Sequence, residues 1–362
     1  FAPRKYRAPL WARNPHFSTV FGSGDLQKKL GNMGPQVTYR RERWDTPDGD
    51  FIDVDFLDTP APGGSEAAGC NDDDDDAPIA VLTHGLESTS TAPLTARMAL
   101  AFQRQGFRVA VLCFRGCSGE DNKTLRAYHL GFTDDLDLVC KTLRARRVPR
   151  HVFEHPDSGL FLSGFSLGGN VISKFLGELG ERAWELGIMG AAVGCVPFDA
   201  VSCQERIDVG FSRKVYAKNF LESLIPKALR MAERDPTLAK IVDLEKLQKA
   251  TTIGEFDELY VAPVFGFDGF QDYYRKTQSG QFLKGVRVPL LAVQARNDPF
   301  MNPNKLPTVD DLEGAPVRLS YHEHGGHCAF IMPDKEENAK GWLATELARF
   351  GRHVRQLGED DA

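Results

Sequence analysis

The stretch GLFLSGFSLGGNVISKFLGEL (159–179) decides how the rest of the chain is read. Its first part, GLFLSGF, is a short apolar run of the kind that forms a strand buried on both faces. Its second part, LGGNVISKFLGEL (167–179), reads as a helix. Ser166 stands between them, within Gly164-Phe165-Ser166-Leu167-Gly168. A strand that turns at once into a helix around G-x-S-x-G holds the serine in a strained conformation, so its neighbours must be small. The turn also sets the hydroxyl at a helix N-terminus, where free N–H groups favour negative charge. A glycine-rich phosphate loop is the rival reading, but the P-loop and dinucleotide types have other spacings.

Working outward, buried-strand patterns recur at IAVLTHG (79–85), FRVAVLCFRG (107–116), GIMGAAVGCVPF (187–198), VPLLAVQARND (288–298) and VRLSYHEHGGH (317–327). Helical patterns lie between or after them at 92–105, 132–147 and 335–357, the second with acidic residues first and basic residues last, as suits the helix dipole. This alternation predicts an α/β chain with a mostly parallel, twisted central sheet and helices on both faces. VTYRRERW (37–44) and DFIDVDFL (50–57), joined by TPDG, predict a β-hairpin. The expected organisation is an N-terminal arm (1–35), a core in two parts (36–198 and 286–362) and a helical cap insertion (199–285). Apolar residues of that insertion, Phe211, Tyr216, Phe220, Leu221, Leu224 and Ile225, read either as an acyl pocket beneath a lid or as the buried face of ordinary helices. The acidic run Asp72 to Asp76 reads as a solvated loop rather than a metal site, because like charges repel.

Composition bounds the function. The 362 residues are 42% hydrophobic and 26% charged, ordinary for a globular protein. A net charge of −6 argues against a nucleic-acid partner. The seven cysteines include no CxxC pair, which speaks against a zinc ribbon or thioredoxin site and for reduced thiols in a cytosol-like compartment. No run approaches the roughly 20 apolar residues that span a bilayer. A soluble protein of the cytoplasm or an organelle is expected; the chain begins at Phe1, so a targeting segment could have preceded it.

A serine hydroxyl needs a histidine to take its proton and a carboxylate to orient that histidine. After a strand–serine–helix turn of this kind the order in the chain is Ser, Asp or Glu, His. Asp298, in ARNDPF (295–300), follows one apolar strand, and His327, in HEHGGHCAF (322–330), follows the next. Both fall at strand C-terminal ends, where open α/β sheets place their sites. The expected catalytic residues are therefore Ser166, Asp298 and His327. Asp199 is an alternative carboxylate, and His322, His324 and His327 an alternative metal set without the usual partners. Cys328 reads as a structural thiol. The oxyanion of a tetrahedral intermediate needs two backbone donors. Leu167, after the serine, and Leu86, in THGLEST (83–89), are the expected pair, with His84 shaping the loop rather than acting as a base.

With these residues in place, the chain resembles the YheT-like branch of the α/β-hydrolases, which includes plant embryogenesis-associated proteins and animal membrane-associated lipid hydrolases. The resemblance runs through PLWARNPHFSTVF (9–21), YRRERWDTPDGDFIDVDFL (39–57), LTHGLEST (82–89), FRGCSGE (114–120), GFSLGGN (164–170), ATTIGEFDELYVAPVFGFDGFQDYY (250–274), ARNDPF and HGGH (324–327). It implies the α/β-hydrolase fold and hydrolysis of carboxylic esters, with Ser166, Asp298 and His327 as triad and neither cofactor nor metal. The implied partner is a small ester or a lipid, and a lipid would bring peripheral contact with a membrane. Phe114, where the branch usually has Asn, and HFST (16–19) depart from its pattern and bear on pocket shape. Acyl transfer through the same triad, a non-catalytic binding role and peptidase activity are the rival functions.

Overall fold

Charge pairs lock the first hairpin. In the computed structural model, which describes residues 1–22, 34–59, 77–146 and 159–360, β1 (Tyr39–Asp45) runs antiparallel to β2 (Phe51–Leu57). Arg41 lies opposite Asp55 and Arg43 opposite Asp53, and each arginine binds its carboxylate through two N–H groups at 2.7–2.8 Å. Burial alone would raise the pKa of both aspartates; the guanidinium bonds outweigh it and hold them below the ordinary carboxylate range. The acidic run Asp72 to Asp76 lies outside the described residues.

The remaining strands are β3 (Ile79–Thr83), β4 (Arg108–Cys113), β5 (Leu160–Phe165), β6 (Ile188–Gly194), β7 (Leu290–Ala295) and β8 (Val317–His322). The sheet order is β1-β2-β4-β3-β5-β6-β7-β8, parallel throughout except at β1–β2 and β2–β4. From β3 the chain steps to β4 on one side and then to β5 on the other. That reversal leaves a crevice at the C-terminal ends of β3 and β5, the usual place for a ligand in such sheets. The central strands bury both faces with a period of two. Ile79 and Val81 of β3 join one core layer, and Ala80 and Leu82 join the other. Leu167–Leu179 and Asp134–Arg146 cover the first layer; Pro93–Gln103 and Trp342–Asp360 cover the second.

One local feature departs from the sequence reading. The C-terminal helix is two helices, Lys335–Lys340 and Trp342–Asp360, separated by Gly341 at φ 76°. Asp135 stands in the first turn of Asp134–Arg146, as the charge order expects, and is also buried against Arg115, at 2.8 and 2.9 Å. The N-terminal arm carries a 3₁₀ turn (Leu10–Ala12) and a helix (Pro15–Gly22). The segment between β6 and β7 is helical, as expected. Among the described residues no helix is long and apolar enough to cross a membrane.

Arg115 also reaches Asp48 in the hairpin turn (2.7 and 3.2 Å), so one buried guanidinium joins hairpin, sheet and helix. Arg115→Met leaves Asp135 buried without its partner. It is expected to lower stability in urea unfolding by about 3–5 kcal/mol, with much of the loss recovered in Arg115→Met/Asp135→Asn.

Candidate active site

Ser166 ends β5 at φ 53° and ψ −126°, outside the regions ordinary residues occupy. Its N–H donates to the Gly194 carbonyl of β6 (2.9 Å), and its carbonyl accepts from Asn170 N–H (3.1 Å). The turn is tight because the loops press together. A Cβ on Gly164 would lie 2.2 Å from Thr83 Oγ1, and one on Gly168 would lie 2.4 Å from the His84 carbonyl. The two glycines are thus required by the close approach of β3, as the motif predicted.

His327 Nε2 lies 3.0 Å from Ser166 Oγ, and its Nδ1 lies 2.8 Å from Asp298 Oδ2. With Nδ1–H donating to the carboxylate, Nε2 is left as the acceptor facing the hydroxyl. Asp298 is 1% exposed, and its other oxygen accepts from Phe300 N–H (2.9 Å). The rival residues stand elsewhere. Asp199 caps the helix Ala200–Ile207, accepting from Ser202 N–H at 2.8 Å. His322 accepts from Tyr6 N–H and lies 3.2 Å from Ser320 Oγ; His324 lies beside Asn297. The three histidines therefore do not converge. Among the described residues Cys195, Cys328 and His327 do come together, but both nitrogens of His327 already face Asp298 and Ser166. Burial pushes the Cys328 thiol well up, in keeping with a structural role.

Several residues of the site were not identified in the sequence. Thr19 of the arm accepts the His327 N–H at 2.9 Å while donating to the Pro15 carbonyl. Phe300 packs on the imidazole at 4.1 Å between centroids. Asn297 accepts from Gly326 N–H (3.1 Å) and donates to the Arg13 carbonyl (3.0 Å), tying the histidine loop to the arm. HFST and ARND were legible as motifs, but no spacing within one segment reveals a contact across hundreds of residues.

The loop after β3 touches the serine: a Cβ on Gly85 would lie 3.4 Å from Ser166 Cβ. Ser88 N–H closes a turn on the Gly85 carbonyl (3.2 Å), placing Leu86 and Glu87 at its centre. His84 lies within hydrogen-bond distance of the Gly85 carbonyl through Nδ1 (2.8 Å) and accepts from Phe114 N–H through Nε2 (3.2 Å). Burial holds its pKa down to about 4, so it is neutral and fully engaged away from Ser166. Glu87 adopts φ 52° and is held from every side. Its N–H donates to Tyr128 Oη (2.8 Å), and its carboxylate accepts from Tyr128 Oη (2.9 Å), from Ser223 Oγ and twice from Lys227 Nζ (2.8 Å). Ser223 and Lys227 belong to the long helix Lys218–Arg234 between β6 and β7.

That helix roofs a largely apolar cavity of about 150 Å³, lined by Ser166, Leu86, Leu167, Phe220, Leu224 and Met231 among others. The six apolar residues singled out in the sequence divide. Phe220 and Leu224 face the cavity, and Leu221 is buried in the core. Ile225 packs on that core, Tyr216 meets Phe300 edge-on, and Phe211 is half exposed.

No protein-family model matches the chain. It is 32% identical to the putative esterase YheT of Escherichia coli (strain K12), over 84% of this chain and 85% of that protein. It is 28% identical to human phospholipase ABHD3, over 82% of this chain and 68% of that one. It is likewise 28% identical to the medium-chain fatty acid ethyl ester synthase/esterase 2 of Saccharomyces cerevisiae, over 76% of this chain and 62% of that one. Among solved structures, a fungal esterase from Rhizomucor miehei shares the fold with a TM-score of 0.51, covering 98% of this chain and 95% of that one at 13% identity. With identity at this level over most of both chains, on an eight-stranded sheet of this order, the chain belongs to the YheT-like branch of the α/β-hydrolases.

Proposed function

We propose that the chain hydrolyses carboxylic esters of short to medium acyl chains, with Ser166 as nucleophile, His327 as general base and acid, and Asp298 as the group that orients His327. The observation that carries this reading is the continuous line of contacts Asp298 Oδ2–His327 Nδ1 (2.8 Å) and His327 Nε2–Ser166 Oγ (3.0 Å). Ser166 Oγ attacks the ester carbonyl as its proton passes to His327 Nε2, and the carbonyl electrons move to oxygen. The N–H groups of Leu86 and Leu167 are the proposed donors to that oxyanion. Leu167 is the first helical residue, so its N–H has no acceptor within the helix. The intermediate collapses, the alcohol leaves with the proton from His327, and a water activated by His327 releases the acid. The carboxylate of Asp298 stabilises the transient imidazolium, and its burial keeps that charge pair out of water.

The names of the relatives support the chemistry: putative esterase, phospholipase, and ethyl ester synthase/esterase. The cavity supports the chain length. A cavity of about 150 Å³ holds a ligand the size of benzene, about six carbons. The region 199–285 serves as the cap, because the helix Lys218–Arg234 supplies both the roof of that cavity and the ties to Glu87. A second reading, acyl transfer to an alcohol, is favoured by the yeast relative's name, which includes a synthase. Product analysis with ethanol added to the assay separates the two readings: formation of ethyl ester in place of free acid identifies transfer.

Ser166→Ala is expected to reduce ester turnover by on the order of 10⁶ without changing the melting temperature by more than a few degrees. Retained hydrolysis in that variant, or failure of a fluorophosphonate to label Ser166, contradicts the assignment. Across p-nitrophenyl esters, kcat/KM is expected to peak between about four and eight acyl carbons, in line with a cavity of about 150 Å³. Lys227→Met removes the cap's grip on Glu87 and hence on Leu86. It is expected to lower kcat by about tenfold, part of what a lost oxyanion donor costs, with KM nearly unchanged. Lys227→Arg should restore most of the loss.

A further inference from the structure

The cavity beside Ser166 is apolar in the main, yet it holds polar side chains whose hydrogen bonds can be followed one by one. Lys227 Nζ is used by both oxygens of Glu87 and by Cys117 Sγ (3.8 Å). Tyr128 exchanges bonds with Glu87, and Gln204 donates its amide to Asp208 (2.7 Å). Tyr273 Oη accepts from Leu130 N–H (2.8 Å), and Tyr260 Oη donates to the Leu125 carbonyl (3.2 Å).

Asp257 differs from the other carboxylate of the cavity, Glu87, whose two oxygens are both bonded. Asp257 Oδ2 accepts from the Tyr274 hydroxyl, but no described residue bonds its Oδ1. Asp257 is 8% exposed, and it lines the same cavity as Ser166. Asp257 begins the π-helical turn Asp257–Val261, between helical turns at Ile253–Phe256 and Ala262–Phe265. Such wide turns are frequent at functional sites. Both Asp257 and Tyr274 come from the 250–274 motif, which the proposed chemistry at Ser166 leaves unused.

The neighbours of Asp257 indicate what it would bind. Asp208, at the end of the helix Ala200–Ile207, faces it, and its carboxylate accepts from Ile253 and Gly254 N–H (2.7 and 2.8 Å). Tyr273 and Tyr274 face it from the helix Phe270–Thr277, and none of these groups is a cation. Burial, opposed by the Tyr274 bond and reinforced by the Asp208 charge, pushes Asp257 up to about 7. In its protonated form the carboxyl both donates and accepts, and it needs no positive partner. An alkyl chain passing it would strip away water and leave Oδ1 unpaired in an apolar cavity; a hydroxyl on that chain would replace the water.

We propose that Asp257, held by Tyr274, is a specificity-determining residue that hydrogen-bonds a hydroxyl group on the substrate chain occupying the cavity, so that hydroxylated acyl esters are preferred over plain ones. This rests on the reading of Ser166 as the nucleophile. The test has two arms. In the first, kcat/KM is measured for p-nitrophenyl alkanoates of four to eight carbons, each plain and with one hydroxyl placed at successive positions. The wild-type chain should favour the hydroxylated ester at one position by about tenfold or more. Asp257→Leu should lose that preference, and Asp257→Asn, which still donates and accepts, should keep it. Asp257→Leu/Tyr274→Phe removes the hydroxyl that the single variant would strand, so the comparison survives if Asp257→Leu alone fails to fold.

In the second arm, the same hydroxylated and plain chains, as alkanamides, are titrated calorimetrically into Ser166→Ala protein with Asp257 intact or replaced. Tighter binding of the hydroxylated amide that disappears with Asp257 supports the proposal even if no ester is cleaved, an outcome that would overturn the reading of Ser166 alone. Equal binding and turnover of plain and hydroxylated chains at every position overturns the proposal. So does a preference unchanged in Asp257→Leu/Tyr274→Phe, or a stronger preference for an ω-amino chain.

Discussion

The arrangement of the site depends on one backbone constraint, the turn at Ser166 with φ 53° and ψ −126°. A residue held there costs about 1–3 kcal/mol, and it persists only where the surroundings leave no alternative. Those surroundings are the two neighbouring strands. β6 takes the Ser166 N–H through Gly194, and the end of β3 presses Thr83 and His84 against Gly164 and Gly168. Relaxing the turn would break the first contact, and adding any side chain at either glycine would collide with the second. The serine is therefore presented by the sheet's own strand order, in the crevice where the chain reverses from β4 to β5.

Everything else at the site is brought to that fixed point by contacts from distant parts of the chain. The imidazole is positioned by a carboxylate 29 residues before it and the ring of Phe300, and the His327 backbone N–H by a threonine 308 residues before it. The turn carrying Leu86 is held by Glu87, whose partners Ser223 and Lys227 lie beyond β6. The side chains of Glu87 and Lys227 are 7% and 11% exposed, so the pair is effectively buried. A buried ion pair of this kind adds little net stability, because desolvation offsets most of the attraction. What it does provide is a single position: neither partner can leave without stranding the other's charge. The cap helix and the turn after β3 are thereby kept in register.

The parts that were legible in the sequence are those whose signal is local. A five-residue motif between a strand and a helix locates Ser166, and two strand ends followed by ARND and HGGH point to the residues that meet it. Strand alternation likewise gives the sheet and its two covered faces, because burial on both sides leaves an unbroken apolar run. The hairpin's stability was only half visible. DFIDVDFL alternates as a strand should, but two of its aspartates, Asp53 and Asp55, are buried against Arg43 and Arg41. The charge order of the helix Asp134–Arg146 was legible, but not the burial of Asp135, because its partner Arg115 comes from the turn after β4. Thr19, Tyr128 and Lys227 are ordinary residues in sequence, and only the three-dimensional path makes them part of the site.

The helical insertion shows why apolar spacing is a weak guide to a pocket. Helical periodicity marks a face that is buried, not what it is buried against. Phe220 and Leu224 border the cavity while Leu221 enters the core, although all three lie on one continuous helix. The distinction arises from where that helix is pinned. Lys227 and Ser223, fixed on Glu87, set its rotation and its distance from the sheet, and the width of the cavity follows from that distance. The far wall is set by another polar contact, Tyr274 on Asp257. An apolar cavity is thus bounded by buried polar ties, since directional bonds fix a spacing that non-directional packing would allow to collapse.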